Sequence, residues 1–469
     1  MIEALHNICN KIWSNHIWPS SWTKSLVITL PKKGDLQQCN NYRTLSLISH
    51  PSKILLRIIL NRLKPQAAEI IAEEQAGFMP GRSTVEQIFN LRVLCEKSLE
   101  HQQSLYHVFI DFKKAFDRVW HQALIATMKK YNISSSLISL IENLYTEATS
   151  AVFLNGEIGD WFRTSVGVRQ GCLLSPTLFN IFLERIMTDA LSDHTSSVTI
   201  GGRPISNLRF ADDIDGIAGS EDELIDLINR LDTSSRNYGM EISPEKTKIM
   251  ANEIANGFTQ IIKIKDAVLE PVDRMKYLGA LISDEGSKVE ILSRIAQATG
   301  AIAKLKVIWQ DKSLSIKTKI RFLRSLVMSI FLYASESWTL TAEMEKRITS
   351  FEHRCYRKLL NIPYNQHVCN SIVTERITES IGKHCDLLQT VKTRKLKWFG
   401  HVSRHQGLAK TILQGTLPGS RKKGRPRKKW FDNISEWTAM SMAHATRATE
   451  NRDYWRSVVR SSSAPQQPP

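Results

Sequence analysis

Residues 208–216 read Leu-Arg-Phe-Ala-Asp-Asp-Ile-Asp-Gly. An apolar-aromatic run leads into adjacent carboxylates, Asp212 and Asp213, and a second apolar run, Ile214 to Ala218, follows them. This alternation predicts a β-hairpin with the paired aspartates at its tip. Two carboxylates side by side on a half-buried strand repel each other and lose hydration, so a plain core would not select them. A divalent cation shared with a third carboxylate relieves that cost. Asp111 supplies a third, about 100 residues upstream, at the end of the apolar run Val108 to Ile110.

Other motifs stand in order around these aspartates. They are Asn41-Tyr42-Arg43 with Ser46-Leu47, then Gln75-Ala76-Gly77-Phe78 with Gly81-Arg82-Ser83, then Asp111 followed by Ala115-Phe116-Asp117. Arg169-Gln170-Gly171 with Ser175-Pro176, and finally Phe210-Ala211-Asp212-Asp213, complete the series. The ordered set resembles the motifs of a reverse transcriptase, and most of all the polymerase region of LINE-type (non-LTR) retrotransposons. Any one motif is common by chance; the ordered set is not. The resemblance is strong over roughly residues 20–285 and looser beyond.

The resemblance implies an α+β right-hand polymerase, with fingers, an antiparallel palm sheet, a helical thumb and a basic C-terminal extension. The implied division is 1–105 for an N-terminal extension and fingers, 106–285 for the palm with part of the fingers, and 286–362 for the thumb. Residues 363–460 would form a basic nucleic-acid-binding region and 461–469 a disordered tail. The implied activity is RNA-directed DNA synthesis, with an RNA template, a DNA primer or target and deoxynucleoside triphosphates as partners. Two Mg²⁺ ions about 4 Å apart, with Mn²⁺ as an alternative, would stabilise attacking and leaving oxygens. Asp111 and Asp212 would bridge both ions, Asp213 would lie near the primer-side ion, and the Phe112 carbonyl would be a fourth protein ligand.

The same resemblance assigns further roles. Phe116 falls where an aromatic clashes with a ribose 2′-hydroxyl, although a core phenylalanine also explains it. Asp117 is alternatively a cap for a helix starting near Arg118. Gln170 and Gly171 would pack under the nascent base pair. Arg43 would contact the triphosphate with its guanidinium fork, and Lys32 would assist unless it is a surface lysine. Lys246, preferred to Lys248, would protonate the departing pyrophosphate. Tyr277, Leu278 and Gly279 would form the primer grip. Asp215 departs from the family's usual apolar residue; strand alternation from Ile214 would turn it outward, or it weakens the hairpin, as Gly216 and Gly219 also would.

Length and charge agree with this reading. The 469 residues suffice for two or three domains, and 42% hydrophobic residues suits a globular chain. No apolar run approaches the roughly 18 residues of a membrane span, and the first residues carry no cleavable signal pattern. Seven irregularly spaced cysteines fit reduced thiols inside a cell. The net charge is +17, and residues 387–431 hold 13 Lys and Arg with no Asp or Glu. Such a block favours a polyanion.

Within that block Lys397-Trp398-Phe399-Gly400-His401 is an apolar-basic mix suited to a nucleic-acid face. Residues 421–430, centred on Gly424-Arg425-Pro426 and flanked by Arg421, Arg427 and Lys428, resemble an AT-hook. They would serve equally as a nuclear import signal, placing the protein in the nucleus after cytoplasmic synthesis. A zinc site from Cys355, Cys369, His384, Cys385, His401 and His405 is a weaker idea, because no close cysteine pair is present.

Along the chain, periodicity predicts strands at 25–30, 151–155, 162–168 and 276–282, and helices at 53–63, 83–100, 176–191, 221–238, 288–309, 317–333 and 342–360. Relatives carry an endonuclease upstream. The start of this chain lies too close to the fingers for one, so a fragment, or a separate nicking activity, is expected. Two rival readings stay open: a decayed fragment that binds RNA or DNA without polymerising, for which Asp215 speaks, and an RNA-to-RNA polymerase, against which Phe116 speaks.

Overall fold

The computed structural model describes residues 2–462 apart from 33, 383, 422, 423, 425 and 426. Its centre is a five-stranded palm sheet in the order Glu270–Pro271, Lys248–Ala251, Tyr106–Ile110, Asp213–Ala218, Asn207–Phe210. The middle strand, Tyr106–Ile110, is buried along its whole length because both faces of the sheet are covered. Tyr106, Val108 and Ile110 share one core with Phe179 and Phe182 of helix Ser175–Leu191 and with Leu224 and Leu227 of helix Glu221–Asn237. Phe109 joins a second core, with Phe89 and Leu94 of helix Thr84–Glu100 and with Phe399 and Trp430 from the C-terminal helices. The period-two alternation of a strand produces this split.

Local sequence explains where the helices begin. The Ser83 hydroxyl accepts from the Glu86 N–H at 3.2 Å and opens helix Thr84–Glu100. Ser220 does the same for helix Glu221–Asn237, whose first turn carries three acids against the positive end of the helix dipole. Pro176 occupies the first turn of helix Ser175–Leu191, where its missing N–H costs nothing.

A second sheet, in the order Tyr42–Ile48, Lys24–Pro31, Thr149–Leu154, Glu157–Ile158, forms the fingers, with Phe162–Arg163 also paired to Thr149–Leu154. The thumb core gathers Ile291 and Ala298 of helix Ser287–Lys304, Phe331, and Ile348 and Phe351 of helix Ala342–Leu359. It continues into Val373, Ile377 and Val391, beyond the expected thumb limit at 362. Likewise the second palm core crosses the expected limits at 105/106 and 362/363, since Phe89, Phe109 and Phe399 belong to one cluster.

Several expectations need correction. The strand expected at 162–168 is paired only over Phe162–Arg163. The strand at 276–282 is a hairpin of Met275–Tyr277 and Ala280–Ile282. The helix at 288–309 breaks at Leu305 into Ser287–Lys304 and Lys306–Gln310. That at 317–333 holds a π turn over Leu323–Met328. Ser461 and Ser462, assigned to a disordered tail, end helix Arg452–Ser462; the rest of that tail lies outside the described residues. No described helix is long and apolar enough to cross a membrane.

Candidate active site

Strand pairing brings the three aspartates together. Asp213–Ala218 runs antiparallel to Tyr106–Ile110 with Ile214 opposite Ile110, so Asp213 and Asp111 stand at the same end of neighbouring strands. The Asp111 carbonyl accepts from the Ser243 N–H at 2.8 Å, and Phe112 bridges to Ile242, which ties the end of the strand to the 240–247 loop. That loop delivers Lys246, whose Nζ lies 3.1 Å from Asp111 Oδ1. Lys248 points elsewhere, to Glu270.

The turn between the two hairpin strands is tight. Ala211 has φ +57°, in the left-handed region. Burial raises the Asp212 carboxyl; its own N–H lowers it, Asp111 raises it further, and Arg43 and Lys246 only partly restore it. Asp213 is pushed up to about 6, by burial first and then by the charges of Asp212 and Asp111. Asp213 itself keeps contact with solvent. Negative charge on three neighbouring carboxylates that Lys246 and Arg43 offset only in part is what a divalent cation neutralises, and oxygen donors suit Mg²⁺. Among the described residues no group of three or more His, Cys, Asp or Glu side chains, these aspartates included, stands close enough together to hold a metal ion by itself. An ion here would draw its other ligands from water and substrate phosphate, as Mg²⁺ usually does. The zinc idea gains nothing: Cys355 is buried in the thumb core and the named residues form no cluster.

Beside the aspartates, Phe116 is half-buried, stacked on Phe179 with centroids 4.4 Å apart and met edge-on by Phe78 at 6.3 Å. Asp117 caps no helix. The next helix, His121–Lys130, starts after Trp120 without a side-chain cap, and Asp117 Oδ1 instead accepts from Gln170 Nε2 at 3.0 Å. The Gln170 carbonyl accepts from the Ser46 N–H at 2.7 Å. A Cβ on Gly171 would stand 3.0 Å from the Ser46 carbonyl oxygen. Gln170 and Gly171 therefore dock the palm onto the fingers strand that carries Arg43. Arg43 is exposed and its charge reaches Asp212. Lys32 is exposed just beyond strand Lys24–Pro31.

The 275–282 hairpin turns at Leu278 and Gly279, both at positive φ. The Tyr333 hydroxyl donates to the Leu278 carbonyl at 2.7 Å, and Arg294 donates to the Gly279 carbonyl, so thumb residues hold this turn. Tyr277 is buried against Phe109, and burial, then Asp215 and Asp213, push its phenol up.

Asp215 does not face outward. It is 0% exposed, and its Oδ1 lies 3.1 Å from His107 Nδ1. Alternation from Ile214 does turn it to the other face, but helix Thr84–Glu100 and the C-terminal helices cover that face. Gly216 likewise does not loosen the strand: a Cβ there would stand 2.7 Å from Val108 Cγ1, so glycine permits close packing. His107 escaped notice in the sequence; the signal available was a second polar residue within an apolar strand.

The C-terminal basic residues are mostly engaged within the fold. Phe399 and Gly400 are buried, so the 397–401 segment is core rather than a nucleic-acid face; only Lys397 of that segment is exposed. Arg421 pairs with Glu100, Arg427 with Glu253, Lys428 with Glu436 and Lys429 with Glu100. The absence of acids within 387–431 thus reflects acids supplied by other elements. Arg421 and Arg427 remain 71% and 61% exposed, which leaves their charges available to a polyanion. Arg425 lies outside the described residues.

The reverse transcriptase (RNA-dependent DNA polymerase) family matches residues 30–282, more than half of the chain. A Xenopus laevis protein, "Transposon TX1 uncharacterized 149 kDa protein", is 34% identical over 179 residues, 38% of this chain and 14% of that one. The "Probable RNA-directed DNA polymerase from transposon BS" of Drosophila melanogaster is 24% identical over 435 residues, 87% of this chain and 47% of the relative. The "RNA-directed DNA polymerase from mobile element jockey" of the same organism is 22% identical over 77% of this chain and 40% of the relative. The chain thus spans less than half the length of these relatives. Apo telomerase from Candida tropicalis, at a TM-score of 0.40 and 14% identity, covers 88% of this chain and 73% of that structure. The motif order, the palm that carries it and the family match have one meaning: the chain belongs to the reverse transcriptase (RNA-dependent DNA polymerase) family.

Proposed function

We propose that this chain extends a DNA primer 3′ end on an RNA template from deoxynucleoside triphosphates, releasing pyrophosphate. The observation that carries the reading is the placing of Asp111 with Asp212 and Asp213 at one end of two paired strands, where the charges of Asp111 and Asp212 act on Asp213. Asp111, Asp212 and Asp213 would hold two Mg²⁺ ions, which supply charge stabilisation for the attacking and leaving oxygens. Arg43 would bind the triphosphate, and its charge already reaches the carboxylates. Lys246, 3.1 Å from Asp111, is placed to give a proton to the leaving oxygen. Phe116 would exclude a 2′-hydroxyl by bulk, while Gln170 and Gly171 keep fingers and palm in register under the nascent pair. The Tyr277–Gly279 turn would hold the primer strand. Arg421, Arg427, Lys428 and Lys397 would add phosphate contacts, and the 421–430 segment would direct nuclear import.

The reading of Asp215 as damage loses its support, because that carboxylate has a buried partner in His107. Primer extension on poly(rA)·oligo(dT) with Mg²⁺ and dTTP tests the proposal, beside an Asp212→Ala/Asp213→Ala control. Extension by the native chain alone is expected. Salt-sensitive RNA binding without extension would leave only a nucleic-acid-binding protein.

A further inference from the structure

Gln75 is 1% exposed, and its side chain makes a two-point hold on the residue before the paired aspartates. Its Oε1 accepts from the Ala211 N–H at 2.8 Å, and its Nε2 donates to the Ala211 carbonyl at 3.2 Å. A primary amide offers one acceptor and two donors, so it satisfies both main-chain groups of one residue as an adjacent strand would. The amide orientation is set by the network: Oε1 also accepts from the Gly77 N–H at 2.8 Å, and a flipped amide would turn its NH₂ against two donors.

Ala211 is the residue that requires such a hold. Its φ of +57° brings Cβ close to the following carbonyl, a conformation that alanine does not keep unaided. Gln75 is itself anchored, because its backbone bridges Arg209 and the Ala76 N–H donates to the Arg209 carbonyl at 2.8 Å. Gly77 completes the contact. A Cβ there would fall 2.1 Å from the Ala211 nitrogen, so only glycine lets the segment lie against the turn. Asn180 of helix Ser175–Leu191 then fixes the Gly77 carbonyl at 2.7 Å.

We infer that Gln75 is a positioning residue for nucleotidyl transfer: its amide locks Ala211 in the left-handed turn that aims Asp212 and Asp213 toward Asp111. The inference rests on the polymerase reading for its consequence, although not for its geometry. Gln75 touches none of the reacting groups.

The test compares the full chain with Gln75→Met and Gln75→Glu by hydrogen–deuterium exchange and primer extension. Methionine keeps the length and burial but removes both bonds; glutamate keeps the acceptor and removes the donor. In Gln75→Met, exchange over residues 209–213 should quicken by about tenfold or more while helix Glu221–Asn237 keeps its protection. kcat should fall by about tenfold or more with the dTTP KM within about threefold, and the Mg²⁺ midpoint should rise. Ala211→Gly added to Gln75→Met should restore part of kcat, since glycine adopts positive φ without strain. A Gln75→Met chain with native exchange at 209–213, or with kcat within about twofold of native, overturns the inference. If that variant does not fold, Gln75→Glu carries the same comparison. A native chain that extends no primer sinks the polymerase reading instead, and the exchange comparison still decides the role of Gln75.

Discussion

His107 Nδ1 and Asp215 Oδ1 meet at 3.1 Å under the hairpin that carries Asp212 and Asp213, both side chains essentially sealed from solvent. Burial opposes charge on His107, but the charge and hydrogen bond of Asp215 outweigh it and push the imidazole up to about 10. Burial also raises Asp215 despite the attraction of His107. The two directions agree on one point: the pair retains a proton across the neutral range. Stability from His107 is therefore fully present below its unfolded value near 6.5 and is lost as pH rises through about 10. His107→Ala should cost about 3–5 kcal/mol, because it leaves a buried carboxylate unpaired. A His107→Phe/Asp215→Leu double variant should recover most of that in chemical denaturation; if it does not, the pair is more than an electrostatic match.

Glu352 predicts a second pH dependence. It is 4% exposed, and burial pushes its carboxyl up to about 7, against hydrogen bonds from the Tyr356 hydroxyl and the Leu387 N–H and with Asp386 adding repulsion. Folding thus favours the protonated form. Its stabilisation is full below about pH 4.5 and falls away toward pH 7, by about 3 kcal/mol. Glu352→Gln should flatten the stability profile across that window. An unchanged slope in urea titrations from pH 4.5 to 7.5 would assign it to other groups.

Gly77→Ala should disrupt the turn at Ala211, since its new Cβ would fall 2.1 Å from the Ala211 nitrogen. The expected cost is about 1–3 kcal/mol, with primer extension reduced further than stability alone explains. Thermal unfolding with unaltered Tm would show that the segment can move aside.

Phe116→Val tests the sugar gate. Phe116 stacks on Phe179, so truncation also loosens packing, and valine limits that loss. Selectivity for dTTP over UTP should fall by roughly 10–200-fold. A preserved ratio of the two kcat/KM values would mark Phe116 as a core residue only.

Asp213→Asn should separate stability from activity. Its carboxyl is held near 6 by burial and by Asp212 and Asp111, so ionisation strains the fold at neutral pH. The neutral isostere should raise Tm while extension falls by about a thousandfold or more, as the site loses charge stabilisation worth several kcal/mol. A lowered Tm would mean that the carboxylate has a favourable partner.

The hairpin over 208–218, the helices beginning at 83 and 221 and the ordered motifs were legible because they rest on local rules: alternation, helical period and spacing. Asp215 was misjudged for the opposite reason. A strand's period of two says that alternate residues face opposite sides, and not whether the second side meets water. Asp117 was misplaced for a similar reason, since its partner Gln170 comes from a distant part of the chain, as do Glu100 and Glu253, which pair with Arg421 and Arg427.

The sequence by itself determined the 208–218 hairpin, the apolar strand run ending at Asp111, the paired aspartates and the family, because residue type and spacing along one chain are enough to specify them. Only the tertiary structure decided what surrounds them: His107 against Asp215, Gln75 on Ala211, and the C-terminal helices over the back of the palm sheet. These contacts join residues as far apart in the chain as Glu96 and Trp430, 334 positions. They depend on which faces meet when the sheet is covered, and no local pattern contains that information.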